Sequence, residues 1–423
     1  MLDFESALAK VQSRIGIIPE GVAQVIAIKC DAALIDFGAL GRDTALAGNL
    51  AIPLVKQLTA LVVNDDTEAA KFVHWGATSQ DAIDTGLVLQ LRDGLCIIEP
   101  ALVELSTALA VLIKRHRNTM MVGRTWLQHA LPITFGLKVA GWLDAINRHR
   151  QRMAEIRPRI LTLQFGGAAG TLASLGARNL AVADLLAKEL HLTTPALPWH
   201  SHRDRSAEVA TTLGLLVGIL GKIARDVSLC MQTDVAELAE PATAGRGGSS
   251  TMPHKRNPVG CAVVLSAAIR VPGLVSSMLS AMAQEHERGL GGWHSEWDTL
   301  PEIVLLAAGA LDRMTEIMIG LEVDPQRMAD NLNPTNGLIM AEAVAMALGS
   351  HIGRLKAHEA IEQACQQAIR ESRHLRDVLS ENALIQTYFS APELAALINP
   401  ANYLGATQQF IDRVLAAAEE SNL

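Results

Sequence analysis

Aromatic side chains are scarce in this 423-residue chain, where seven Phe, six Trp and two Tyr amount to 4%. Sandwiches and barrels rely on β-branched and aromatic residues to fill a pleated surface. No Asn-Gly or Asp-Gly pair lies between alternating apolar runs, so strand signals are almost absent. Cysteine is thinly spread: Cys30, Cys96, Cys230, Cys261 and Cys365 form no CxxC pair, which reads as free thiols in a reducing compartment. Basic charge is not in excess either. The net charge of -8 excludes a general nucleic-acid surface, and any anionic ligand must meet cations gathered locally. Long apolar runs are missing as well. Val209 to Gly221, bounded by Arg205 and Lys222, falls short of the roughly 20 residues that span a bilayer. The N-terminal stretch MLDFESALAKVQSRIG carries early acids and no apolar core of a secretory signal. The expectation is a soluble cytoplasmic protein with no membrane or nucleic-acid partner.

Helical periodicity fills the space left by these absences. Hydrophobic residues make up 49% of the chain and charged ones 19%, as suits a well-buried globular protein. Helices are expected over Ala101–Asn118, after Pro100, and over Pro132–Ile156, Pro258–Gln284 and Pro301–Glu322. The proline-free stretch Ser206–Glu240, if helical throughout, reaches roughly 50 Å. It carries Gly214, Gly218 and Gly221, which allow neighbouring helices to come close. A rod that long exceeds what one small core needs and suggests an elongated bundle. The sequence therefore predicts an all-α protein with an N-terminal helical domain over 1–99, a long-helix domain over 100–336 and a C-terminal helical domain over 337–423. The clearest linker is DNLNPTNG, Asp330 to Gly337.

The strongest chemical signal is AGRGGSSTMPHKRNPV, Ala244 to Val259. Glycines free the backbone and let its N–H groups form an anion-binding concavity. Lys255 and the helix starting near Pro258 add positive potential suited to a carboxylate. A serine there can exchange a proton with a substrate carbon if its alkoxide is stabilised. The same residues also suit a flexible Gly/Ser loop that caps the next helix.

Gly248 to Pro258, GSSTMPHKRNP, resembles the signature of the superfamily that holds fumarase, aspartase, argininosuccinate lyase and adenylosuccinate lyase. Two further blocks, HWGATSQDAIDT (His74 to Thr85) and GRTWLQHALP (Gly123 to Pro132), are similar to that superfamily's other conserved regions, in the same order. The resemblance covers nearly the whole chain, through NPTNGLIMAEAV at Asn333 to Val344. It implies that Ser249 and His129 are catalytic, with Ser249 as the base. It also implies that His74, Thr78, Ser79, Thr125, Gln128, Lys255 and Asn257 bind substrate, with no cofactor or metal. A homotetramer is implied in turn, with a multi-helix core and active sites shared between protomers. The His200-x-His202 spacing could suit a metal, but no Cys or carboxylate near it in sequence completes a site.

Departures from the pattern narrow the chemistry. Hydratase and amidine-type members carry His where this chain has Trp126, and pair it with a Glu at the position of Ala262. Expelling hydroxide or a poorly leaving nitrogen benefits from such an acid, whereas a carboxylate attacks or leaves without one. The wording of HWGATSQD, GRTWLQHALP, LQFGGAAGTLASLG and PWHSHRDR looks like prokaryotic 3-carboxymuconate cycloisomerases. That implies a small tricarboxylate substrate met by His200, His202, Arg203, Arg205, Lys255 and Arg288. The alternatives are an adenylosuccinate lyase-like eliminating enzyme and a non-catalytic, crystallin-like relative. Arg203 and Arg205 could equally serve only to pair with acids at a helix start.

Overall fold

The structure, a computed structural model, describes residues 1–242, 247–248, 251–252 and 254–420. In chain order it runs α1 (Leu2–Arg14), α2 (Val22–Lys29), α3 (Phe37–Ala47), α4 (Ala51–Val63), α5 (Ser79–Arg115), β1 (Met120–Thr125), β2 (Gln128–Thr134), α6 (Phe135–Ile160), α7 (Asn179–Glu189), α8 (Asp204–Cys230) and β3 (Leu238–Ala239). It continues with α9 (Val259–Ser280), α10 (Gly292–Ile319), β4 (Glu322–Val323), α11 (Pro325–Asp330), α12 (Ala341–Ile352), α13 (Arg354–Glu371), α14 (Leu375–Glu381), α15 (Ala383–Tyr388), α16 (Ala391–Ile398) and α17 (Thr407–Glu420). The fold is the all-α one expected.

Two compact units account for these elements. One comprises Met1–Pro100, Gln151–Val217 and Ala267–Gly309; the other comprises Ala101–Arg150, Gly218–Ser266 and Ala310–Leu423. Their boundaries fall inside α5, α6, α8, α9 and α10. The three consecutive domains expected from the sequence are a different division, and that division stays a proposal. In the first unit Phe4, Leu8 and Val11 of α1 pack with Leu89, Phe165, Val182 and Leu186 in one core cluster. In the second, Val344, Leu348, Ile361, Ala364, Val378 and Leu394 build a core from the C-terminal helices.

Several expected helix limits are corrected. Pro100 does not start a helix but lies inside α5. Proline removes one hydrogen bond and crowds the preceding turn, yet Leu95 and Ile98 before it and Leu102 and Leu105 after it are all buried. Pro301 likewise sits inside α10, which begins at Gly292. The proline-free helix stops at Cys230 rather than Glu240. There Ala236 turns left-handed at φ 52°, and the Glu237 N–H donates back to Cys230 O at 2.9 Å. The freed segment pairs as β3 with β4.

Strand is scarce, as expected, but no sign in the sequence marked the antiparallel hairpin that β1 and β2 form, with Thr125 opposite Gln128. Its two-residue tip is Trp126-Leu127, at φ 52° and 64°. Positive φ at both positions matches the twist of the flanking strands. That turn normally uses Asn-Gly, so bulky residues hid it. The bilayer reading changes too: Ser79–Arg115, Asp204–Cys230 and Val259–Ser280 are long and apolar enough, by length and composition, to cross a membrane.

Candidate active site

In the first unit the beginning of α5 is fixed by one carboxylate. The Thr78 N–H, just before the helix, donates to the Asp81 side chain at 3.0 Å, and the Asp81 N–H donates back to Thr78 O at 2.9 Å. Asp81 is fully buried and also accepts from the N–H groups of Gly166 and Gly167 at 2.9 Å each and from Gln164 Nε2 at 3.1 Å. The His200 ring lies against it at 2.8 Å. A side chain at Gly166 would meet Pro198 and His200 within 2.8 Å, so only glycine lets this loop reach the carboxylate. One turn along, Asp84 accepts from Arg203 at 2.7 and 3.1 Å and from Trp293 Nε1 at 2.9 Å. Arg203 also donates to Glu296 at 2.9 and 2.6 Å. Burial raises the Glu296 carboxyl above its ordinary value, and Arg203 offsets part of that rise.

These bonds correct the expected ring of substrate cations. Arg203 is buried and paired with two carboxylates, and its guanidinium lies 4.8 Å from the Trp199 ring centre. His200 is committed to Asp81, a carboxylate more than a hundred residues away in sequence and so unseen there. Arg205 donates to Arg159 O. Arg288 is different. It donates to Gln80 Oε1 at 3.0 Å, Thr78 Oγ1 at 3.3 Å and Ala168 O at 3.1 Å, all neutral oxygens, so its charge is still available to a ligand. It stands over the first turn of α5, where orphan N–H groups favour an anion. Thr78 and Ser79 are therefore placed where a carboxylate can be received, and Arg288 joins them. Nearby in sequence, His74 holds φ 60° and its Nδ1 lies 2.6 Å from Glu5. Burial pulls this imidazole down, but the Glu5 carboxylate, with Asp81 adding to it, leaves it raised overall.

In the second unit the hairpin collects Thr125, Gln128 and His129. Thr125 and Gln128 are exposed, and Trp126 is 98% exposed at the tip. Arg124, opposite His129 in the ladder, makes a paired contact with buried Glu237 at 2.9 and 2.7 Å. Partial burial, then the Arg124 charge, lowers the His129 imidazole below its ordinary value. The signature loop ends in the same unit. Both the backbone N–H and the Nδ2 of Asn257 donate to Gly247 O, at 2.9 and 3.1 Å, and Arg256 pairs with Glu322 at 2.7 Å. Glu240 accepts from Gly260 and Cys261 N–H at 3.0 and 2.7 Å at the start of α9. Lys255 is exposed. Ser249 lies outside the described residues.

Sequence reasoning missed Gln80, Asp84 and Glu296 as supports of the cradle. The only signal was their charge or polarity at helix positions that turn out to be buried. The chain matches the family described as "Lyase" over residues 5–273 and "Adenylosuccinate lyase C-terminus" over 337–414. It is 55% identical to a 3-carboxy-cis,cis-muconate cycloisomerase of Pseudomonas aeruginosa, covering 98% of this chain and 91% of that protein. A protein of the same name from Bradyrhizobium diazoefficiens is 52% identical over 99% of this chain and 93% of its own. The crystal structure of the 3-carboxy-cis,cis-muconate lactonizing enzyme from Pseudomonas putida superposes with a TM-score of 0.95 at 50% identity, covering 100% of this chain and 94% of that one.

Proposed function

This chain belongs to the lyase family of the fumarase/aspartase superfamily, and from that premise we propose that it interconverts 3-carboxy-cis,cis-muconate and 4-carboxymuconolactone. The observation that carries the reading is the hairpin tip. Where hydratase and amidine-type relatives place a general acid, Trp126 stands 98% exposed, and the partnering position is Ala262. An indole N–H does not titrate near neutrality. Chemistry that needs no acid on a departing atom fits such a site. Intramolecular addition of a carboxylate is chemistry of that kind.

In the lactonising direction one carboxylate oxygen of the substrate bonds to the alkene carbon β to a second carboxylate. The alkene pair moves to the α-carbon and is delocalised into that second carboxylate, and Ser249 delivers a proton to the α-carbon. One C–O and one C–H bond form as the alkene π bond breaks, no group leaves, and the Ser249 alkoxide regains its proton from water, so the reaction balances without cofactor or metal. Lys255 and Asn257 stabilise the carboxylate that gathers charge, and Thr78, Ser79 and Arg288 hold another. His129, whose imidazole is held below its ordinary value by partial burial and the Arg124 charge, is the second catalytic group. His74, Thr125 and Gln128 complete the substrate contacts. Much of the rate comes from holding the chain in its folded conformer.

The proposed assembly is a homotetramer in the reducing cytoplasm, in which cradle, hairpin and loop are contributed by different protomers. Its support is apolar surface on long helices: Ile97 on α5, Ile269 on α9 and Leu305 on α10 are 67%, 76% and 73% exposed. The test of function is loss of the diene's ultraviolet absorbance when 3-carboxy-cis,cis-muconate is added, with adenylosuccinate run in parallel. Diene loss with recovery of lactone is expected. An inert diene beside turnover of adenylosuccinate would overturn the assignment.

A further inference from the structure

Gln80 is fully buried one residue into the cradle, and its carboxamide has no freedom of direction. Its Nε2 donates to Asp84 Oδ2 at 3.0 Å and to His200 O at 2.8 Å, both of which can only accept. The amide oxygen must then face the other way, where it takes the Arg288 Nε–H at 3.0 Å. Flipping the amide would set its oxygen against a carboxylate and a carbonyl, and its NH2 against a guanidinium. Asp84 cannot yield either, since Arg203 and Trp293 hold it.

We infer that Gln80 is a positioning residue for substrate recognition: it fixes the Nε edge of Arg288, so that the guanidinium presents its outer edge to a substrate carboxylate. Arg288 Nη2 is steadied by Thr78 Oγ1 and Ala168 O, while Nη1 carries no hydrogen bond among the described residues. A planar guanidinium recognises a carboxylate through a fork whose orientation matters as much as its charge. Arg288 sits on a surface segment and gains that orientation from the buried framework through Gln80 alone among side-chain amides. The inference rests on the reading of Arg288 as a carboxylate-binding group and deepens it. The sequence HWGATSQD thus contributes twice to Arg288, with the Thr78 hydroxyl at Nη2 and the Gln80 amide at Nε.

The test is Gln80→Met, which keeps length and volume but removes donor and acceptor. A charge-assisted hydrogen bond is worth a factor of about ten or more in binding. KM for the tricarboxylate is expected to rise by about that factor while kcat stays within about threefold. Gln80→Met added to Arg288→Met should worsen KM no further than Arg288→Met alone, because both act through one group. A merely structural role predicts the reverse: a lower active fraction, unchanged KM and additive losses. A crystal structure of Gln80→Met gives a readout free of any substrate, with Arg288 displaced from Thr78 expected. Arg288 unmoved there, or additive kinetics, overturns the inference. A wild-type protein inert toward the diene beside a displaced Arg288 sinks the functional assignment alone. If Gln80→Met does not fold, Arg288→Lys at the exposed end of the contact carries the test. It keeps the charge but loses the planar fork that Gln80 orients, so KM rises by about tenfold or more. An unchanged KM there also overturns the inference.

Discussion

At Arg203 one guanidinium meets two carboxylates, and Arg203, Asp84 and Glu296 are exposed by only 2%, 1% and 1%. Such a cluster is held together by its completeness, because removing one member strands the others in low dielectric. Arg203→Met is expected to lower stability by about 3–5 kcal/mol, read as a shift of the urea midpoint. A shift within about 0.5 kcal/mol would show that water reaches Asp84 and Glu296. His74 offers a milder, pH-dependent case. Its folded-state pKa lies above the ordinary 6.5, so it binds protons more tightly folded than unfolded. Its contribution to stability is therefore fully present below about pH 6.5 and lost as pH rises through the raised folded value. The stability difference between wild type and His74→Gln should shrink along that rise, and parallel profiles would remove the Glu5 contact from the account. Ser249 is the residue on which the proposed chemistry depends most. Ser249→Ala should cost about 10²–10⁴ in kcat and leave substrate binding largely intact, and near-normal turnover would remove Ser249 from the mechanism.

The hairpin of β1 and β2 shows at the scale of an element what strain at a functional position looks like. Trp126 and Leu127 hold positive φ, which costs bulky residues roughly 1 kcal/mol or more each, while they stay 98% and 75% exposed at the tip. Replacing the pair by Asn-Gly should raise stability by about 1 kcal/mol and reduce turnover. A less stable but fully active variant would show that the tip serves folding alone. The same element marks the limit of what the sequence discloses. The all-α character was legible, because apolar periodicity reports local burial wherever a helix has one buried face. The hairpin was not, since its turn uses Trp-Leu in place of Asn-Gly. The limits of α5 and α10 were misread because proline was taken as a boundary, and tertiary burial on both sides of Pro100 overrides that rule. Thr78, Ser79 and the hairpin trio stood out only through resemblance to the superfamily's conserved regions. The partners that orient them did not, because Asp81 to His200 and Arg203 to Glu296 are contacts between distant segments that no spacing encodes.

On the scale of the whole molecule, the apolar faces of α5 and α9 call for a cover. Within the most apolar stretch of these helices only 39% and 28% of residues are buried, against 61% in α8. Lipid and a second protein copy are both apolar covers, and charge decides between them. Arg270 lies within α9 and pairs with Glu302 of α10, both well exposed to water. Uncovered charge at mid-helix disfavours a lipid environment and is tolerated at the wet rim of a protein interface. The expected species in detergent-free buffer therefore sediments at four times the 45.2 kDa chain mass. Ile269→Arg combined with Leu305→Arg places unpaired charge on that surface and should shift the population towards smaller species while circular dichroism keeps its helical signal. If active sites are shared between protomers, activity should fall in step with dissociation and recover at high protein concentration. A fully active monomer would refute shared sites while leaving the chemistry of the cradle untouched. Recovery of the protein only in the membrane fraction would show that lipid covers these faces.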